Sequence, residues 1–194
     1  ITINDGKFHI TASDDAVNAV SDADSSTTNG RPGQWGFEET GTSTLTVNGG
    51  YLVIDAGGDG LDIGGPITMT GGTVLINGPT DYGNAAIDYL GSFVVSGGNL
   101  VAAGSSGMAM APSTSSSQYS VMMYYPSRQA AGIMVHIGTA DGGEVLSFVP
   151  AKVYQSIVFS SPALHAGSDY DIYSGGSSTG TATDGLYSGG DYTP

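Results

Sequence analysis

Acidic side chains recur at fixed offsets along this chain of 194 residues. Asp15 and Asp59 each stand nine residues after a turn-type glycine (Gly6, Gly50), and Asn18 and Asp62 stand twelve after it. A third copy reaches the same pattern four residues late, with Ile87-Asp88 matching Leu61-Asp62, and Asp14 adds a carboxylate beside Asp15. If the copies stack, Asp14, Asp15, Asn18, Asp59, Asp62 and Asp88 gather along one edge. Carboxylates brought that close repel by roughly a few kcal/mol at an effective dielectric near 20. They must then be neutralised, shifted in pKa or held apart. A hard divalent cation answers that need. Calcium takes about six to eight oxygen ligands from carboxylates, amides and backbone carbonyls, which a turn of Asp, Asn and Gly supplies. With no Cys and with His9, His136 and His165 scattered, zinc and copper lack their usual ligands. The alternative is that each Asp hydrogen-bonds the backbone of its own turn.

What would stack the copies is a repeat of strands and glycine corners. With Gly6, Gly50, Gly72 and Gly98 as origins, the residues five before are Ile1, Leu45, Ile67 and Phe93, and those three before are Ile3, Val47, Met69 and Val95. Two residues after stand Phe8, Leu52, Val74 and Leu100; four after stand Ile10, Ile54, Ile76 and Ala102. Every one is apolar, the pattern of strands with one buried face. The glycines mark corners at positive φ. The steps are twenty-two and twenty-six residues, with a double step of forty-four opened by an insert at 21–42 that carries Trp35. A period of this length predicts a β-solenoid whose coils lie about 4.8 Å apart.

Composition narrows the class. Glycine is abundant (32 residues) and charge sparse (11%), yet 39% of residues are hydrophobic, which fits a turn-rich β protein better than disorder. The net charge of −14 comes from 18 acidic against 4 basic residues, so nucleic acid and anionic lipid are poor partners, and no nucleic acid is expected to bind. No apolar run is long enough to insert in a membrane. Scarce lysine, many Ser and Thr and strong acidity point to a secreted or cell-surface protein. The chain opens inside a strand pattern, as a mature or truncated form would.

From Gln118 the glycine register stops. Alternating strands are expected over Tyr119–Tyr125, Ile133–Ile137, Val145–Val149, Tyr154–Phe159 and Tyr170–Tyr173, with a turn at Pro126-Ser127. Antiparallel hairpins of this kind suit the cap that a solenoid end requires. The expected organisation is therefore a parallel β-helix over 1–117, a hinge at Pro112–Ser117, and an antiparallel cap over 118–194 ending in a loosely held Gly/Ser-rich tail from Ser174.

The segments ITASDDAVNA, GGYLVIDAGGDGLDIGG, GGTVLINGP, AAIDY, SGGNLVAAG, YSVMMYYPS and YQSIVFSSP resemble the carbohydrate-binding β-helix proteins of cellulolytic clostridia. Those proteins bind cellulose and acidic plant-wall sugars and are similar to family 9 pectate lyases. The resemblance implies an all-β fold, a right-handed single-stranded parallel β-helix followed by an antiparallel C-terminal cap. It also implies bound calcium and an extracellular role on polysaccharide, with Asp14, Asp15, Asn18, Asp59, Asp62 and Asp88 matched to calcium ligands.

The expected function is calcium-dependent recognition of plant-wall or acidic polysaccharide without catalysis, the cation bridging an acidic protein to uronate carboxylates. Trp35, Tyr82 and Tyr89, in or near loops, are the candidates to stack on sugar rings. A calcium-dependent pectate lyase would need a Lys or Arg base beside the metal. Of Lys7, Arg31, Arg128 and Lys152, only Lys7 falls in a coil, away from the acidic turn. A third reading is a fibre subunit assembled head-to-tail as a homo-polymer through open solenoid ends.

Overall fold

The computed structural model describes residues 1–20 and 42–194. Nearly all of the insert expected at 21–42, Trp35 included, lies outside the described residues. Among the latter the chain is all-β, with no helix.

Strands β1 (Thr2–Ile3), β2 (Lys7–Ala12) and β3 (Val17–Ala19) form a first triplet. β4 (Leu45–Val47), β5 (Tyr51–Ala56) and β6 (Leu61–Ile63) form a second, and β7 (Ile67–Met69), β8 (Thr73–Asn77) and β9 (Ile87–Tyr89) a third. β10 (Phe93–Val95) and β11 (Asn99–Gly104) begin a fourth. Equivalent strands pair in parallel: β1-β4-β7-β10 in one sheet, β2-β5-β8-β11 in the next and β3-β6-β9 in a third. The register is the one the glycine alignment gives, with Phe8 opposite Leu52, Leu52 opposite Val74 and Val74 opposite Leu100. Gly6, Gly50, Gly72 and Gly98 all have φ between 82° and 108°. They form one column, since the carbonyls of Gly6, Gly50 and Gly72 accept the N–H of Tyr51, Thr73 and Asn99 at 2.8–2.9 Å. Between the sheets lies a core that includes Leu45, Val47, Leu52, Ile54, Ile63, Ile67, Met69 and Ile76, each of these at most 3% exposed.

The second half contributes β12 (Ser120–Gln129), β13 (Val135–Thr139), β14 (Glu144–Phe148), β15 (Tyr154–Ser160) and β16 (Tyr170–Ser174). Four short strands follow: β17 (Ser177–Ser178), β18 (Thr181–Thr183), β19 (Leu186–Ser188) and β20 (Tyr192–Thr193). β15 pairs antiparallel with β11 and with β12, so the sheet runs on as β2-β5-β8-β11-β15-β12. A second sheet, the antiparallel β16-β13-β14-β19-β18, lies over the outer face of this one, and β17 pairs antiparallel with β20. Leu75, Val101, Ala103, Ile157 and Phe159 from the long sheet and Val135, Ile137, Leu146 and Phe148 from the second make a separate core.

Three expectations are corrected here. Pro112–Ser117 is no hinge: Ser113 N–H donates to the Phe93 carbonyl (2.8 Å) and Ser116 Oγ accepts from Val95 N–H (3.0 Å), so the segment closes the free edge of β10. Pro126-Ser127 is no turn, because β12 runs through it with only a register irregularity between Tyr124 and Gln129. The tail is tied down. Val149 N–H donates to the Gly185 carbonyl (2.8 Å), and Asp184 Oδ1 lies 3.0 Å from His9 Nε2 on the first triplet.

Candidate metal site

Two turns and two short strands deliver the acids. Asp14 and Asp15 lie between β2 and β3, and Asp59 lies between β5 and β6. The third ladder then sets Asn18 beside Asp62 and Asp62 beside Asp88 in parallel register. Within each of β6 and β9 the flanking residues Leu61, Ile63, Ile87 and Tyr89 are buried, so the central Asp projects outward. Gly58 lets the two turns close on each other. A Cβ there would sit 2.5 Å from Asp15 Oδ1 and 2.7 Å from Asp14 Oδ1.

Asp15, Asp59 and Asp62 each bring a carboxylate oxygen to within 4.8 Å of the other two. Asn18 Nδ2 donates to Asp15 Oδ2 (3.1 Å) and to Asp62 Oδ2 (2.9 Å). The Asp59 N–H donates to Asp15 Oδ1 at 2.7 Å, and the Ala85 N–H donates to Asp59 Oδ1 at 2.5 Å. Asp14 and Asp88 stand just outside the triad, near enough that each adds to the negative field at Asp62.

That field has a measurable consequence. Burial pushes the Asp59 carboxyl up to about 7; the Ala85 hydrogen bond opposes the rise, and Asp88, Asp15 and Asp62 add to it. Burial and then Asp15 and Asp88 push Asp62 up to about 6. Burial, with a contribution from Asp15, also raises Asp88. Among the described residues no basic side chain offsets these effects. The donor set is all oxygen, three half-buried carboxylates with two more beside them, and so fits a hard divalent cation such as calcium. Asn18 presents its NH₂ to the acids; turning the amide over offers Oδ1 instead.

The aromatic candidates part company. Tyr82 is 51% exposed in the loop before β9, its hydroxyl donating to Gln155 Oε1 at 2.7 Å and the Arg128 guanidinium 5.1 Å from its ring centre. Tyr89 is instead a core residue. It is 9% exposed, packs edge-on against Phe93 at 5.9 Å and donates to the Ala111 carbonyl at 2.8 Å, so no face is left for a sugar. Trp35 is outside the described residues. The sequence reading missed Gly58 and the Ala85 N–H. The Gly57-Gly58 pair immediately before Asp59 was the available signal for the first; nothing in the sequence marks the second.

Compared with family models, with curated proteins and with solved structures, the chain finds no match.

Proposed function

We propose that this chain is a right-handed single-stranded parallel β-helix that binds calcium on its acidic edge and, through it, acidic plant-wall polysaccharide outside the cell, without catalysis. Three parallel ladders in column, joined by glycine corners, support the helix, and parallel crossovers are right-handed in nearly all proteins. The observation that carries the function is the Asp15–Asp59–Asp62 triad, three converging carboxylates that no Lys or Arg pairs with among the described residues. A calcium ion held there keeps coordination positions open for a uronate carboxylate.

Tyr82 supplies a ring face from the loop that also delivers the Ala85 N–H to Asp59. Arg128 above it adds a positive charge suited to an acidic sugar. The non-catalytic reading is supported by where the three described basic residues go; Arg31 lies outside the described residues. Lys7 lies 3.9 Å from Asp184, Lys152 donates to the Ala56 carbonyl and to Asp55, and Arg128 covers Tyr82. None of the three faces the triad as a proton-abstracting base would. Ser178, centred in a G-x-S-x-G run at Gly176–Gly180, accepts from the Gly180 N–H at 3.1 Å and is followed by strands, not the helix of a nucleophile elbow.

Calorimetry with oligogalacturonate tests the proposal. Heat of binding should appear in calcium and vanish in chelator; binding that persists unchanged in chelator refutes the bridging ion. Tyr82→Ala should weaken the calcium-dependent binding by about 2- to 10-fold, as expected for one ring contact worth about 0.5–1.5 kcal/mol. Its melting temperature should stay put, since the ring is half exposed.

A further inference from the structure

A cleft of about 380 Å³ opens on the second antiparallel sheet, remote in sequence from the acidic edge. Its floor follows from register. On β13, His136 lies opposite Tyr173 of β16 and Ser147 of β14, and two residues on, Gly138 lies opposite Asp171 and Glu144. Residues two apart share a face. The same face therefore presents a ring row, Tyr173 and His136, and beside it two carboxylates flanking a residue without a side chain. Gly138 is what keeps the floor open, since a Cβ there would come 3.2 Å from His136 Nε2. The C-terminal strand β20 forms a wall, with Tyr192 stacked on His136 (3.8 Å between centroids, 5° apart) and held by its hydroxyl donating to the Gly175 carbonyl at 3.0 Å. Asp191 beside it adds a third carboxylate to the lining.

This is a built site. His136 is 6% exposed and fixed through Nδ1 to Ser147 Oγ at 2.8 Å, while its Nε2 is left without a hydrogen bond among the described residues. Glu144, Asp171 and Asp191 make no ion pair among the described residues, and no Lys or Arg lines the cleft. Their oxygens do not converge within 4.8 Å as those of the acidic edge do, which argues against a metal ion as the occupant. Spread carboxylates around aromatic rings suit a larger ligand that carries positive charge on a ring with an apolar face.

We propose that this cleft is a second ligand site, separate from the acidic edge, that binds an amino sugar, the protonated amine on Glu144 and Asp171 and the pyranose face against Tyr173 and Tyr192. A short glucosamine oligomer, titrated calorimetrically at mildly acidic pH and moderate salt, tests it against the acetylated oligomer and against spermidine. The glucosamine oligomer should bind. Glu144→Gln and Asp171→Asn should each weaken it by about tenfold, as for a lost charge-assisted contact. Tyr173→Ala should weaken it by several-fold, and Asp62→Asn, at the acidic edge, should leave it unchanged. Equal binding of the acetylated oligomer overturns the charge recognition, and equal binding of spermidine overturns the ring recognition. Loss on Asp62→Asn, or indifference to both carboxamide variants, overturns the site. The carboxamides keep side-chain shape, and an unchanged circular dichroism spectrum separates lost binding from lost fold.

Discussion

Gly72→Ala is expected to unfold the protein, or to leave it at least about 3 kcal/mol less stable, the range of buried backbone clashes. Gly72 sits at φ +82°, where an L side chain is disfavoured by about 1–2 kcal/mol. That conformational penalty is the smaller part. An added Cβ would lie 2.8 Å from the carbonyl carbon and oxygen of Gly49 and from the Gly50 oxygen, all backbone atoms of the neighbouring corner. Those atoms cannot retreat. Thr73 N–H donates to the Gly50 carbonyl at 2.9 Å, and Asn99 N–H donates to the Gly72 carbonyl at 2.9 Å, so moving residue 72 disturbs both flanking rungs. Gly132→Ala is the control: its φ is +83°, but nothing lies within 4 Å of the new Cβ. It should lose only about 1–2 kcal/mol. Denaturant titration followed by circular dichroism reads both, and equal losses would mean that the corners are not in close contact.

That contrast shows why the parallel ladders were legible. A corner needing a residue without Cβ, repeated at twenty-two and twenty-six residues, leaves a mark no side-chain substitution can blur, and β1 to β11 followed from it. The second core also left a mark, less plainly. Three residues after each corner stand His9, Val53, Leu75 and Val101, and five after stand Thr11, Asp55, Asn77 and Ala103. The outward positions turn apolar along the chain because the later strands are covered by the second sheet, where Leu75, Val101 and Ala103 are at most 2% exposed. The tail escaped because Gly, Ser and Thr carry no alternation. Its anchoring depends on single contacts such as Asp184 with His9, 175 residues apart.

The acidic site was readable in its members but not in its boundaries. Asp62 and Asp88 face outward because Leu61, Ile63, Ile87 and Tyr89 face inward; the same alternation that selects Asp88 removes Tyr89 as a sugar platform. Tyr82, in a loop with no alternation to obey, kept its exposure. The cleft at His136 was invisible from sequence for a different reason. It exists only once the β13–β14 hairpin has its irregular register between Ile137 and Gly138, which sets Glu144 across from Gly138. A one-residue slip would send Glu144 to the opposite face.

Without calcium, the protein should become less stable as pH rises from about 4 to about 7, the reverse of what ordinary ion-paired carboxylates produce. The sign follows from proton counting. Asp59 and Asp62 have folded-state pKa values of about 7 and about 6 against an ordinary 3.8, so the folded chain holds protons that the unfolded chain releases. Their contribution is fully present below the unfolded value and is lost as pH climbs through the folded ones. Both groups are partly exposed, so solvent screening holds the combined loss to on the order of 2 kcal/mol. Asp184, pulled down chiefly by its hydrogen bond from His9, acts in the opposite sense but only as pH falls below the ordinary carboxylate range, so the two windows do not overlap. On the proposed reading, calcium replaces the protons. The gain in melting temperature on adding it should be largest near neutral pH and should fade towards pH 4, as protons outcompete the ion. The double variant Asp59→Asn/Asp62→Asn removes the repulsion and the ligands together. It should be more stable than the parent at neutral pH in chelator, flat with pH across the same window, and indifferent to calcium. Melting curves of parent and variant, with calcium and with chelator, decide the matter. A parent that gains stability between pH 5 and pH 7 in chelator, or a double variant still stabilised by calcium, would take the cation off this edge.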